Sequence, residues 1–184
     1  MRFSGAVLTG GASTRMGTDK AFLAVPGDAQ RRPLARIAVD ALRAAGASEV
    51  LAVGGDPDRL RAEIDPALRT VADGWPGQGP LGGITTALAA AREPIVVVLA
   101  CDLPRVTAEA VRAVVDAMDG GADAAVPGRH VLLAAYRRTC RTVFEVAMRV
   151  GVRAPREALD GLHVADVALA DPAWADNANT PADL

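Results

Sequence analysis

A three-layer α/β fold, with a mostly parallel sheet between two layers of helices, is what this sequence predicts, on three grounds. Strand-like and helix-like segments alternate along the chain. The run "PIVVVLA" (Pro94–Ala100) is unbroken in its apolar character, as in a strand buried on both faces at the centre of a parallel sheet. Finally, the residues that carry chemistry follow strands, which is where open α/β sheets bind ligands.

The elements follow in order. "FSGAVLT" (Phe3–Thr9) reads as a first strand running into Gly10-Gly11. Pro33–Ala45 reads as a helix, with Pro33 at the first helical position and Gly46 at the terminating one. Its Leu34, Ile37, Ala38, Ala41, Leu42 and Ala45 share one face. "EVLAV" (Glu49–Val53) and "RTVA" (Arg69–Ala72) are the next strands, and Pro80–Ala91 the next helix. After "PIVVVLA", Thr107 caps a helix that turns Val111, Val114, Val115 and Met118 inward. "DAAVP" and "VLLAAY" are later strands, Arg138–Val150 is a helix, and "HVADVAL" is a last strand. With no repeat, low-complexity tract or linker, the chain is expected to be one domain, 1–184.

Composition narrows the function. Of 184 residues, 51% are apolar and 3% aromatic, so the core is built from Ala, Val and Leu. A net charge of −2 supplies no basic field for nucleic acid. "IVVVLAC" is too short to span a bilayer, and the N-terminus lacks a signal peptide's apolar stretch. Cys101 and Cys140 form no metal or redox spacing, so a reducing, cytoplasmic location is expected.

Three segments at strand ends are candidates for chemistry: Gly10–Lys20, Asp73–Gly83 and Cys101–Pro104. The first is neither a P-loop nor a GxGxxG motif, but it gathers Gly10, Gly11, Ser13, Arg15 and Lys20, a dense set of phosphate donors. Lys20 is the only lysine beside 19 arginines. A compact ammonium fits beside a phosphate where a guanidinium fork does not, which explains keeping one there. Asp102 follows the buried strand directly and suits Mg²⁺, which takes one or two carboxylates plus phosphate oxygens; it is equally suited to starting a turn at Pro104. Asp73 leads into "GWPGQGPLGG", either a loop around a flat base or a plain connection. Asn177 and Asn179, the only asparagines, precede Thr180-Pro181 and read locally as helix-capping residues. His130 and His163 are isolated, Cys101 has no base beside it, and the arginines of "YRRTCR" read as a solvated helix face.

"LTGGASTRMGTDK" resembles the LAGGxSxRMGxDK signature of the molybdenum cofactor guanylyltransferase family. The likeness continues through "GPLGG", "CDLP", "GRHVLLAAYRR" and "NTPADL" over almost the whole chain. The resemblance implies a Rossmann-like nucleotidyltransferase that moves GMP from GTP to the terminal phosphate of molybdopterin bearing molybdenum, with Mg²⁺ as cofactor and release of pyrophosphate. It implies that Leu8, Thr9 and Gly10 contact the nucleotide, that Gly11 and Arg15 line its phosphates, and that Lys20 neutralises them. Lys20, Arg15 and Asp102 are then the catalytic residues, and Asp102 the metal ligand. Gly54, Gly79, Pro80 and Leu81 border the nucleotide, and Asp73 holds the guanine or its ribose. Asn177, Asn179, Thr180 and Arg153 fall on the pterin side. A molybdoenzyme or its chaperone is the implied recipient of the product.

The sequence departs from the family pattern at four places. Thr9 replaces an alanine; "VGGDP" lacks the asparagine that often follows the second strand; "GVRAPREAL" replaces a Gly-x-Arg-Ser-Leu segment; and His130-Val131 replaces His-Pro. The alternatives are a molybdopterin cytidylyltransferase and a nucleotide-binding protein without turnover.

Overall fold

A computed structural model describes residues 1–10, 19–26 and 28–178. The chain begins in the middle of its sheet. β1 (Phe3–Leu8) pairs in parallel with β2 (Glu49–Val53) on one side and with β4 (Ile95–Ala100) on the other. Between β1 and β2 lie a 3₁₀ turn, Lys20–Phe22, and α1 (Leu34–Ala44). α2 (Pro57–Arg59), capped by Asp56, continues as a π-helical turn, Leu60–Ile64, and leads to β3 (Arg69–Val71). α3 (Pro80–Ala90) precedes β4, and α4 (Ala108–Asp116) follows it. The chain then runs through β5 (Ala124–Val126), β6 (Leu133–Arg137), α5 (Cys140–Arg149), α6 (Pro155–Ala158) and β7 (Val164–Asp166).

The seven strands lie in the order β3-β2-β1-β4-β6-β5-β7. β6 is antiparallel to both β4 and β5, and β7 is parallel to β5. Two reversals therefore restore the direction, so β5 and β7 end on the same sheet edge as β1 and β4. This arrangement makes the sheet mostly parallel, as expected, with β6 the exception.

Strand alternation sorts the core into two layers. Phe3 and Val7 of β1, with Val97 and Leu99 of β4, pack under α1 and α4; Ala6 and Leu8, with Val96 and Val98, pack under α3 and α5. α1 follows the predicted face, with Leu34, Ile37, Ala38, Ala41 and Leu42 buried, although Pro33 caps the helix rather than opening it. α4 begins where expected: Thr107 accepts from Ala110 N–H, and Val111, Val114 and Val115 are buried. α3 differs from both. Leu81 to Leu88 are buried without interruption, because one side of the helix faces the sheet and another faces α5 and α6. Arg137, expected on a solvated helix, closes β6 and donates through Nε to Ala122 O at 2.7 Å. No helix among the described residues is long and apolar enough to cross a membrane.

Candidate active site

The carboxyl ends of β1, β2 and β4 open into a cleft of about 680 Å³. Its floor depends on two glycines that let the first two strand ends touch. Thr9 N–H and Gly10 N–H both donate to Val53 O at 3.0 Å, while Gly54 N–H donates to Val71 O at 2.9 Å. Gly54 adopts φ +76°, and a Cβ there would lie 2.7 Å from Gly10 Cα. A larger side chain, such as the asparagine that the resemblance leads one to expect in this region, has no room at Gly54. Thr9, buried, sets its hydroxyl between Val53 O (3.2 Å) and Gly54 O (2.9 Å), so it too stitches β1 to β2.

Lys20 enters from the 3₁₀ turn, whose cap Asp19 accepts from Ala21 N–H at 3.1 Å. Its Nζ donates to Asp102 Oδ2 at 3.1 Å and to Ala178 O at 2.9 Å. Asp102 stands two residues beyond the end of β4, and the two side chains are 18% and 17% exposed, enough for a ligand to reach both. The segment 177–178 then grips Asp102 twice more. Asn177 Nδ2 donates to Asp102 Oδ1 at 2.7 Å, and Ala178 N–H donates to Asp102 O at 2.9 Å. The Nδ2 partner of Asn177 thus lies 75 residues away, and the helix that its neighbours suggested lies outside the described residues.

Asp73 occupies the opposite wall, two residues past β3. Its Oδ1 accepts from Trp75 N–H at 2.9 Å and from the Thr86 hydroxyl at 3.0 Å, leaving Oδ2 without a described donor. Thr86 comes from α3, is 7% exposed, and its Oγ1 also accepts from Gly74 N–H at 3.0 Å. The sequence reading overlooked Thr86. The available signal was a pair of hydroxyls, Thr85 and Thr86, inside an otherwise apolar helix.

Of the expected site residues, Leu8, Thr9, Gly10, Lys20, Gly54, Asp73, Gly79, Pro80, Asp102 and Asn177 line this one cleft. Leu81 does not: it is 0% exposed, in the core beneath α3. Arg153 is not among the residues lining the cleft, and its Nη1 donates to Met148 O at 2.8 Å and Val152 O at 2.9 Å. Gly11, Arg15, Asn179 and Thr180 lie outside the described residues. Cys101 also lines the cleft, but burial and then the charge of Asp102 push its thiol up to about 12, so it supplies no thiolate nucleophile near neutral pH. Among the described residues no three His, Cys, Asp or Glu side chains converge as a metal cage. What the described part of the cleft offers is the Lys20 ammonium beside Asp102, the further carboxylates of Asp19 and Asp73, and closely approached backbone.

Residues 5–164 match the MobA-like NTP transferase domain. The chain belongs to that family. A Chloroflexus aggregans relative named "Probable molybdenum cofactor guanylyltransferase" is 34% identical over 100% of this chain and 92% of its own length. A protein of the same name from Pelotomaculum thermopropionicum is 35% identical over 81% of this chain and 70% of its own. Among solved structures, molybdopterin-guanine dinucleotide biosynthesis protein A from Archaeoglobus fulgidus aligns over 98% of this chain and 94% of its own, with a TM-score of 0.76 at 24% identity. That likeness establishes the fold, a mostly parallel α/β nucleotidyltransferase sheet.

Proposed function

We propose that this family member transfers GMP from GTP to the terminal phosphate of molybdopterin bearing molybdenum, forming the guanine dinucleotide and releasing pyrophosphate. The observation that carries the reading is the Lys20–Asp102 pair at 3.1 Å, set at the carboxyl ends of the central strands beside the Gly10–Gly54 approach. An acceptor phosphate oxygen attacks the α-phosphorus, and the bond from that phosphorus to the bridging oxygen of the β-phosphate breaks. The acceptor is already an anion, so no general base is needed, and the cleft's lack of a histidine or thiolate is consistent with this. Catalysis then rests on positioning and charge neutralisation.

In this reading Lys20 exchanges its contact with Asp102 for the triphosphate. Asp73 Oδ2 accepts from a donor on the base or ribose. The donor set fits Mg²⁺, which is held through one or two carboxylates plus phosphate oxygens rather than by a protein cage. Asp102 would hold it, and when bound the ion would offset charge on the phosphates. The reaction is placed in the cytoplasm, where free thiols such as Cys101 and Cys140 persist.

Calorimetric titration of GTP, CTP and ATP in the presence of Mg²⁺ tests the proposal. The expected result is tightest binding of GTP, weakened in Lys20→Ala, with Asp102→Asn retaining binding and losing turnover. A preference for CTP would reassign the enzyme to cytidylyl transfer. No binding of any nucleotide would refute the reading.

A further inference from the structure

The 3₁₀ turn that carries Lys20 is gripped from two sides. On one side Ala21, 0% exposed, sits in the core, and Leu34 N–H at the start of α1 donates to Leu23 O at 2.9 Å. On the other side stands the helical segment that follows β2. The Arg59 guanidinium carbon lies 3.8 Å from the centroid of the Phe22 ring, so the cation is stacked on the ring. Among the described residues this is the one contact of its kind.

Arg59 is itself held in place. Its backbone N–H donates to Asp56 Oδ1 at 3.1 Å, and its Nε donates to Glu63 Oε1 at 2.6 Å. Glu63 belongs to the π-helical turn, which Asp65 N–H closes by donating to Leu60 O at 3.1 Å. The Glu63 carboxylate, and after it the charges of Asp19 and Asp56, hold the guanidinium's pKa above its ordinary value. Asp19 is the cap of the Lys20 turn, so Arg59 is felt at both of that turn's ends. The next residue reaches the cleft floor. Leu60, 0% exposed, places Cδ1 3.3 Å from where a Cβ on Gly55 would lie, and Gly55 lines the cleft.

The turn makes Phe22 a handle on Lys20. A 3₁₀ helix has about three residues per turn, so side chains two positions apart leave it roughly 240° around. Lys20 projects into the cleft and Phe22 away from it, toward α2. Neither swings far unless the other swings too. A solvated i,i+4 pair accounts for Arg59–Glu63, but not for the seat of the guanidinium on Phe22.

We propose that Arg59 is a positioning residue for Lys20: stacked on Phe22 and anchored by Glu63, it fixes the turn so that the ammonium is in place before the triphosphate arrives. The inference rests on the function proposed above and adds to its machinery a residue that does not line the cleft. Such ordering in advance favours binding, because the side chain loses less freedom when the ligand comes.

Lys20, the only lysine of the chain, can be followed as a single amine. Trace acylation by acetic anhydride, read by mass spectrometry against the α-amino group, reports how firmly Nζ is held to Asp102 and Ala178. Arg59→Ala and Phe22→Leu should each raise the Lys20 rate about two- to fivefold, the scale of one exposed cation–π contact. Combined, they should raise it no further than the larger single effect. Loss of a nearby positive charge would by itself favour the protonated, unreactive amine and slow the labelling, so the sign separates lost positioning from lost charge. Arg59 is 42% exposed and can be changed without opening the core; Arg59→Lys, which keeps a cation for the ring, should restore the parent rate. In calorimetry, Arg59→Ala should weaken GTP binding by the same factor when Lys20 is present and have no effect in a Lys20→Ala background. Unchanged Lys20 labelling in both single variants, or an equal loss of GTP affinity with and without Lys20, would overturn the assignment while leaving the proposed function standing. A parent protein that binds no nucleotide sinks that function itself.

Discussion

Replacing Gly54 by alanine isolates what the cleft floor requires. Two costs are superimposed at this position. The left-handed φ of +76° is unfavourable for any residue with a Cβ, by about 1–3 kcal/mol. The added Cβ would also lie 2.7 Å from Gly10 Cα and 2.9 Å from Gly10 N, both backbone, so β1 and β2 must separate by several tenths of an ångström. Overpacking of that kind costs about 1–3 kcal/mol. The sum, about 2–6 kcal/mol, corresponds to a fall in Tm of roughly 5–20 °C for a domain of this size. Gly46→Ala provides the control: φ is +97° there, but nothing lies within 4 Å of the new Cβ, so only the conformational cost remains. Denaturant melts of the two variants should therefore differ by the collision alone. GTP titration should separate them further, because only Gly54→Ala displaces Gly10, a cleft residue. Equal stability loss in the two variants, with unchanged GTP affinity in Gly54→Ala, would refute the close approach as a functional device.

Two further outcomes follow from single contacts. Thr86→Val removes the hydroxyl that holds Asp73 and Gly74, and should lower both stability, by about 1–3 kcal/mol, and GTP affinity, measured by melting and calorimetry; Thr86→Ser should restore them. The thiols predict a pH dependence. Burial, then the charges of Asp102 and Asp123, push Cys101 to about 12 and Cys140 to about 11, against 9.0 for a free thiol. Because the unfolded chain ionises first, the stability these two groups contribute is complete below pH 9 and is lost as pH rises from 9 towards 11–12. Native protein at pH 8.5 should accordingly react with iodoacetamide far more slowly than protein in urea.

Much of this molecule could be read from local pattern. "PIVVVLA" announced β4, and the α1 and α4 faces followed from i, i+3, i+4 spacing. Lys20 and Asp102 were identifiable because each follows a strand end, and in a parallel sheet such ends gather on one edge. What the sequence hid were partners set by distance in three dimensions. Asn177 reads as a cap beside Thr180-Pro181, with no sign that its Nδ2 reaches a carboxylate 75 residues earlier. Arg153 reads as a ligand contact, and nothing in the sequence signals that its Nη1 donates to the carbonyls of Met148 and Val152. The Asp56-capped helix and its π-helical continuation escaped notice because a turn this short carries too few apolar repeats to show a period. The direction of β6 was equally invisible, since a strand's alternation is the same read either way.

The Lys20–Asp102–Ala178 bridge has a consequence for the chain during its synthesis. Its contacts span 82 and 158 residues, so the sheet order β3-β2-β1-β4 can be complete on a ribosome while this bridge still lacks its final strut. A nascent chain thus holds these four paired strands before it holds the 177–178 strut of the cleft. A protease that trims residues from 177 onward would act in the same sense, silencing the site while leaving the strands paired.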